Sequence, residues 1–284
     1  MKRRAVRVLL AALGLALAPI GGGVVAGAGA VDIAPHRALY TMSLGTAKQN
    51  GGVVAARGSM VFEWGETCDG WTVEQRYKLR LRYAEASAGG GAGDGEIEIS
   101  SNFVTWESKD GLRYRFYQKK LKNGELDGET RGEARLDGKG QGGKVEFSKP
   151  AASAIDLAPG VIFPTAHTML LLERAQSGEQ FVAQPVFDGA SEENAAVVSA
   201  VIGGSQSAAA SAAEEPIKNA LLARPSWRVR LAFFSADSTT DKPDYELGMR
   251  LLDNGVSRDM VLDYSEFAIK AKLDEIEALP KPSC

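Results

Sequence analysis

Cysteine and histidine are nearly absent from this chain, with two of each in 284 residues. His36 and His167 show no recognisable metal-ligand spacing, and neither a zinc motif nor a nucleophile elbow accompanies them, so a hydrogen-bonded structural role is the expectation for His167. A basic excess is missing too: 33 Lys and Arg face 36 Asp and Glu, a net charge of −3. Phosphate contacts dominate nucleic-acid affinity, so this balance argues against a nucleic-acid partner. The glycine-rich run SAGGGAGDG ahead of Glu96 lacks the Lys-Ser/Thr of a phosphate-cradling loop and precedes a strand-like segment, so it reads as a connection. No cofactor is implied by any motif. Acidic residues are plentiful, but the sequence alone cannot set two of them across a cleft for hydrolysis.

What is present begins with a basic stretch (Lys2, Arg3, Arg4, Arg7), an apolar run from Val8 to Ala18, and the small residues Ala28-Gly29-Ala30. That is the three-part pattern of a cleaved secretory signal over residues 1–30, and it predicts an exported protein. Gly21, Gly22 and Gly23 interrupt the apolar stretch and argue against a membrane span, and no cysteine follows it for lipid attachment. The remaining 254 residues suit one large β domain, residues 31–284. Loss of the four basic residues moves the net charge to −7. In an oxidising compartment Cys68 and Cys284 suggest a disulfide, with two free thiols or an intermolecular bond as alternatives.

Period-two alternation runs through most of the chain. From Trp71 the positions Trp71, Val73, Tyr77, Leu79, Leu81 and Tyr83, with Gln75 the one intruder, alternate with Thr72 and charged residues, and the preceding Gly65–Gly70 stretch holds Cys68 in or beside a hairpin turn. Asp110-Gly111 and Asn254-Gly255 mark two further hairpins. Phe267, Ile269, Ala271 and Leu273 keep the strand period despite a helix-compatible composition. One helix is expected after Pro164, capped by Thr165, with His167 in its first turn and its apolar residues burying from Met169 onward. Residues 203–216, GGSQSAAASAAEEP, are low in complexity and read as a flexible loop.

The signal, His36-Arg-Ala-Leu-Tyr40, the Trp-Gly-Glu-Thr-Cys-Asp-Gly-Trp run ending at Trp71, the Pro159-Gly-Val-Ile-Phe-Pro-Thr-Ala-His167 segment and the late Cys284 together resemble the periplasmic cell-envelope integrity family typified by EipB. The resemblance implies a long, curved antiparallel β-spiral or open barrel with one packed α-helix, similar in architecture to periplasmic lipoprotein carriers, and a Cys68–Cys284 disulfide. It supplies no catalytic residues. The expected function is therefore a non-enzymatic factor supporting envelope integrity by binding a protein or lipoprotein partner, with carriage of a lipid or acyl chain as the alternative. Trp71, Tyr77, Phe103, Trp106, Tyr114 and Phe116 offer enough aromatic surface to line a hollow or to fill it. The expected ligand region is the helix start, with Thr165, His167, Leu170 and Leu171 forming a lid and a ligand entering beside His167.

Overall fold

A computed structural model describes residues 31–48, 52–84, 95–214, 217–236 and 240–284. The expected signal at residues 1–30 and most of the glycine-rich connection lie outside the described residues. Fourteen strands form one antiparallel sheet in the order β8-β7-β6-β5-β4-β3-β2-β1-β14-β13-β12-β11-β10-β9. Its first half is an eight-strand meander, β1 (His36–Ala47), β2 (Val53–Glu66), β3 (Gly70–Tyr83), β4 (Glu96–Ser108), β5 (Arg113–Lys122), β6 (Glu125–Leu136), β7 (Gly143–Lys149) and β8 (Ser153–Leu157). Helix α1 (Pro164–Ser177) follows, then β9 (Phe181–Val186), β10 (Ala196–Gln206), a short helix α2 (Ala208–Glu214), and the meander β11 (Ser226–Phe234), β12 (Tyr245–Leu252), β13 (Ser257–Asp263) and β14 (Phe267–Ala278).

The two halves are joined where β1 pairs with β14, from His36 opposite Ala278 to Ala47 opposite Phe267. Among the described residues no β8–β9 ladder closes the sheet, so it is a spiral with two edges. The 187–195 connection fills the seam instead: Phe187 is buried, the Asn194 side-chain amide donates to Asp156 O at 3.2 Å, and Tyr114 Oη donates to Asp188 O at 2.8 Å.

Alternation fixes which face turns inward. On β3 the side chains of Trp71, Leu79 and Leu81 are buried, whereas Arg76, Lys78, Arg80 and Arg82 meet water. Lys78 and Arg80 pair across the outer face with Glu98 at 2.8 Å each, exposed contacts worth little to stability. The inner face supports three clusters. One joins Leu171, Leu172 and Ala175 of α1 to Trp64, Trp71 and the walls of β9–β12. The second surrounds Tyr40, Leu252 and Ile269, and the third is aromatic, with Tyr114, Phe116, Phe147, Phe163 and Phe187.

Two sequence expectations change. Residues 203–206 complete β10 and residues 208–214 form α2, so the low-complexity stretch is ordered over both segments. Alanine is the strongest helix former, and Ser207 starts the turn by accepting from Ala210 N at 3.3 Å. Ser211 is then buried, with its hydroxyl 2.7 Å from that of Ser226. Trp106 faces outward rather than toward a hollow, because it lies opposite Thr72 and Arg115 while its neighbour Glu107 pairs with inward Trp71. Its ring is covered by the guanidinium groups of Arg113 and Arg115, 5.5 and 4.6 Å from the ring centroid.

Candidate functional site

Antiparallel connections alternate between the two ends of the spiral, and the ends differ. At one end lie the Cys68 turn, the Asp110-Gly111 turn and α1. Phe163 is the helix N-cap and provides no side-chain bond; the cap comes from another strand. The Glu107 carboxylate accepts from Thr165 N at 2.7 Å and Ala166 N at 2.8 Å. Thr165 is thus inside the helix and capped, correcting its expected role as the cap. Two orphan amides and the positive end of the helix dipole are satisfied by one carboxylate. Burial nevertheless dominates and pushes the Glu107 carboxyl up to about 7.

The lid residues divide between two surroundings. Thr165 and Leu170 border a small groove of about 310 Å³ with Glu107, Gly111 and Met169. Leu171 is 1% exposed and belongs to the core. His167 is also buried, burial drives its imidazole down to about 4, and its Nε2 has no hydrogen-bond partner. An entrance beside His167 is therefore not what this end offers: α1 closes it by burying one face among Trp64, Trp71 and the β9–β12 wall. The same end is tied down by the Cys68–Cys284 disulfide, with Cα atoms 5.7 Å apart across 216 residues of sequence. Lys281 Nζ reaches Asp32 Oδ1 at 2.6 Å beside it. The second histidine, His36, is fully buried, with Nδ1 2.8 Å from Ala34 O and its pKa lowered by burial.

The opposite end is the more open one. Register places Tyr77 and Phe103 of one wall, and Phe233, Tyr245, Leu247 and Leu262 of the other, on the inner face, yet each keeps partial access to solvent. Phe233, Leu247, Tyr77 and Phe103 pack against the three core clusters with one side and keep the other accessible, whereas Leu231 and Ile269 nearby are buried. Aromatic rings run around this rim: Phe233 stacks on Tyr245 at 4.3 Å and 11°, Tyr264 follows at 6.1 Å, and Phe267 lies 5.3 Å farther on. A few polar groups sit deeper. Gln118 Oε1 is buried without a hydrogen-bond partner, Ser101 is buried opposite Tyr77, and Lys120 Nζ donates to Ala190 O at 3.4 Å. The exposed Asp188 carboxylate accepts from Ala190 N at 2.9 Å. Of the aromatic residues expected to line a hollow, Tyr77 and Phe103 reach this region, whereas Trp71, Tyr114 and Phe116 are consumed by packing. The rim residues Tyr245 and Tyr264 lie on the hairpin flanking Asn254-Gly255, where the sequence marks strands and a turn and carries no sign of a site.

Comparison with known proteins accords with this architecture. A family model described as EipB-like matches residues 27–280. The cell envelope integrity protein EipB of Brucella abortus is 31% identical over 96% of this chain and 95% of its own length. The chain belongs to the EipB-like family. A crystal structure of a β-barrel-like protein of a domain of unknown function from Brucella abortus covers 88% of this chain and 100% of its own, at 29% identity and a TM-score of 0.78. The EipB homologue supports a role in cell-envelope integrity for this member, and the family's fold is the open, mainly β sheet described above. Among the described residues no helix is long and apolar enough to cross a membrane.

Proposed function

We propose that this EipB-like protein acts in the periplasm, after export by residues 1–30, as a non-enzymatic binding factor whose open end receives the acyl chain of a lipidated envelope partner. The observation that carries the reading is the rim itself: apolar side chains from facing walls point inward and remain accessible. Accessible apolar side chains with a few polar groups near them are the usual lining of a small-ligand site. Contact with an alkyl chain is the chemistry those walls provide, and each methylene removed from water contributes about 0.8 kcal/mol.

A fluorescent fatty acid titrated into the mature protein tests this. Binding at micromolar protein is expected, with loss when Leu247→Trp fills the rim and no change with Lys78→Trp on the outer face. Absence of binding by the unmodified protein, combined with capture of an unlipidated protein from periplasmic extract, would replace the acyl site by a protein-binding scaffold.

A further inference from the structure

On the outer face, Arg228 of β11 lies directly opposite Arg250 of β12, which lies directly opposite Arg258 of β13. Like charges at directly opposed positions destabilise a sheet, so three guanidinium groups in one cross-strand row need compensation. Part of it is internal. Glu214 of α2 approaches Arg250 at 3.4 Å and Arg258 at 3.9 Å, and Asp259 stands 3.9 Å from Arg250 Nε. Arg228, at the exposed end of the row, makes no ion pair among the described residues. The side chain of Arg250 is only 8% exposed, and its Nε has no hydrogen-bond partner.

Above this row lies a groove of about 650 Å³ whose charged lining is Arg228, Arg230, Arg250 and a single carboxylate, Asp259. Glycine makes part of the floor: a Cβ at Gly248 would meet nothing closer than Val261 O at 4.0 Å. Arg230 is held by Glu246 at 3.5 Å but remains largely exposed. The next positions across the sheet are apolar, since Arg230 pairs with Val201 and Val201 with Phe181, which are 57% and 63% exposed. A cationic groove thus runs without a break into an apolar strip at the sheet's edge, on a chain whose net charge is negative.

We propose that this groove binds the phosphodiester headgroup of an anionic phospholipid and docks the outer face of β9–β13 on a membrane surface. Guanidinium groups take phosphate oxygens in pairs, and the exposed Arg228 and Arg230 present theirs at the groove. Free phosphate shares this chemistry, but only a lipid surface also covers Phe181 and Val201. The site lies outside the spiral and is independent of the acyl-chain reading.

Sedimentation of the mature protein with phosphatidylcholine vesicles, with and without phosphatidylglycerol, tests it. Binding is expected only with phosphatidylglycerol and should weaken as salt rises. Arg228→Ala with Arg230→Ala should lower it by at least about tenfold, at roughly 1 kcal/mol per basic side chain near an anionic surface. Phe181→Ser should lower it while leaving the salt dependence intact. Lys78→Ala with Arg80→Ala, on another part of the outer face, should bind as the unmodified protein does, and each variant's melting curve identifies any that fails to fold. Equal binding to both vesicle types, unchanged binding of the Arg228/Arg230 variant, or full displacement by millimolar glycerol phosphate would overturn the proposal.

Discussion

Glu107→Gln replaces the carboxylate that caps α1 from a neighbouring strand, and the structure fixes both sign and size of the outcome. The folded carboxyl titrates near 7, against 4.5 for an unperturbed glutamate. Because the folded value is raised, its contribution to stability is complete below about pH 4.5 and is lost as pH rises through 7. A gap of that width corresponds to about 3 kcal/mol at most, at 1.36 kcal/mol per unit. Glutamine does not titrate but leaves one of the amides of Thr165 and Ala166 without its acceptor, a loss of about 1 kcal/mol by analogy with other caps. The variant should therefore be less stable than the parent at pH 5 and should recover relative to it by pH 8. Urea unfolding of both proteins across that range measures the difference directly. His167 pulls the other way: its value is lowered from 6.5 to about 4, so stability is present above pH 6.5 and is lost as pH falls through 4. Since His167 is present in both proteins, subtraction removes it. A difference between variant and parent that stays constant from pH 5 to 8 would refute the account of Glu107.

Cys284→Ser should leave the circular dichroism of the fold intact and lower its stability, by up to about 5 kcal/mol in the chain-entropy model for a loop this long; equal melting temperatures for parent and variant under non-reducing conditions would contradict it. Gly189→Ala should destabilise by more than about 1 kcal/mol, because Gly189 has φ +71° and a Cβ there would stand 2.4 Å from Phe116 Cγ. Urea unfolding checks this, and a neutral result would mean that the 187–195 connection is not packed against the aromatic cluster.

Much of the sheet was legible because alternation is written in adjacent residues. Trp71, Leu79 and Leu81 against Arg76, Lys78 and Arg80 assign two faces with no knowledge of any partner. The alternation of Phe267, Ile269, Ala271 and Leu273 marks a strand, and β14 is that strand. The ends of the fold were less legible. Thr165 had the composition of a cap, but a buried carboxylate 58 positions earlier occupies the helix amides. Alanine-rich residues 208–214 had the composition of a loop tract, yet they pack as a helix against Ser226 and the arginine row. The rim residues Tyr245 and Tyr264 had no local mark of function, because accessibility depends on what the facing wall leaves uncovered.

By itself, then, the sequence determined the strand period, the inward and outward faces, the position of α1 and, from its two cysteines, one candidate disulfide. The tertiary structure alone decided that β1 pairs with β14, that α1 closes the end bearing Cys68, and that Arg228, Arg250 and Arg258 fall in one row. The division has a physical reason. A strand's faces follow from the two-residue repeat of its own backbone, whereas cross-strand neighbours depend on register, bulges and curvature accumulated along the whole sheet, which no local pattern encodes.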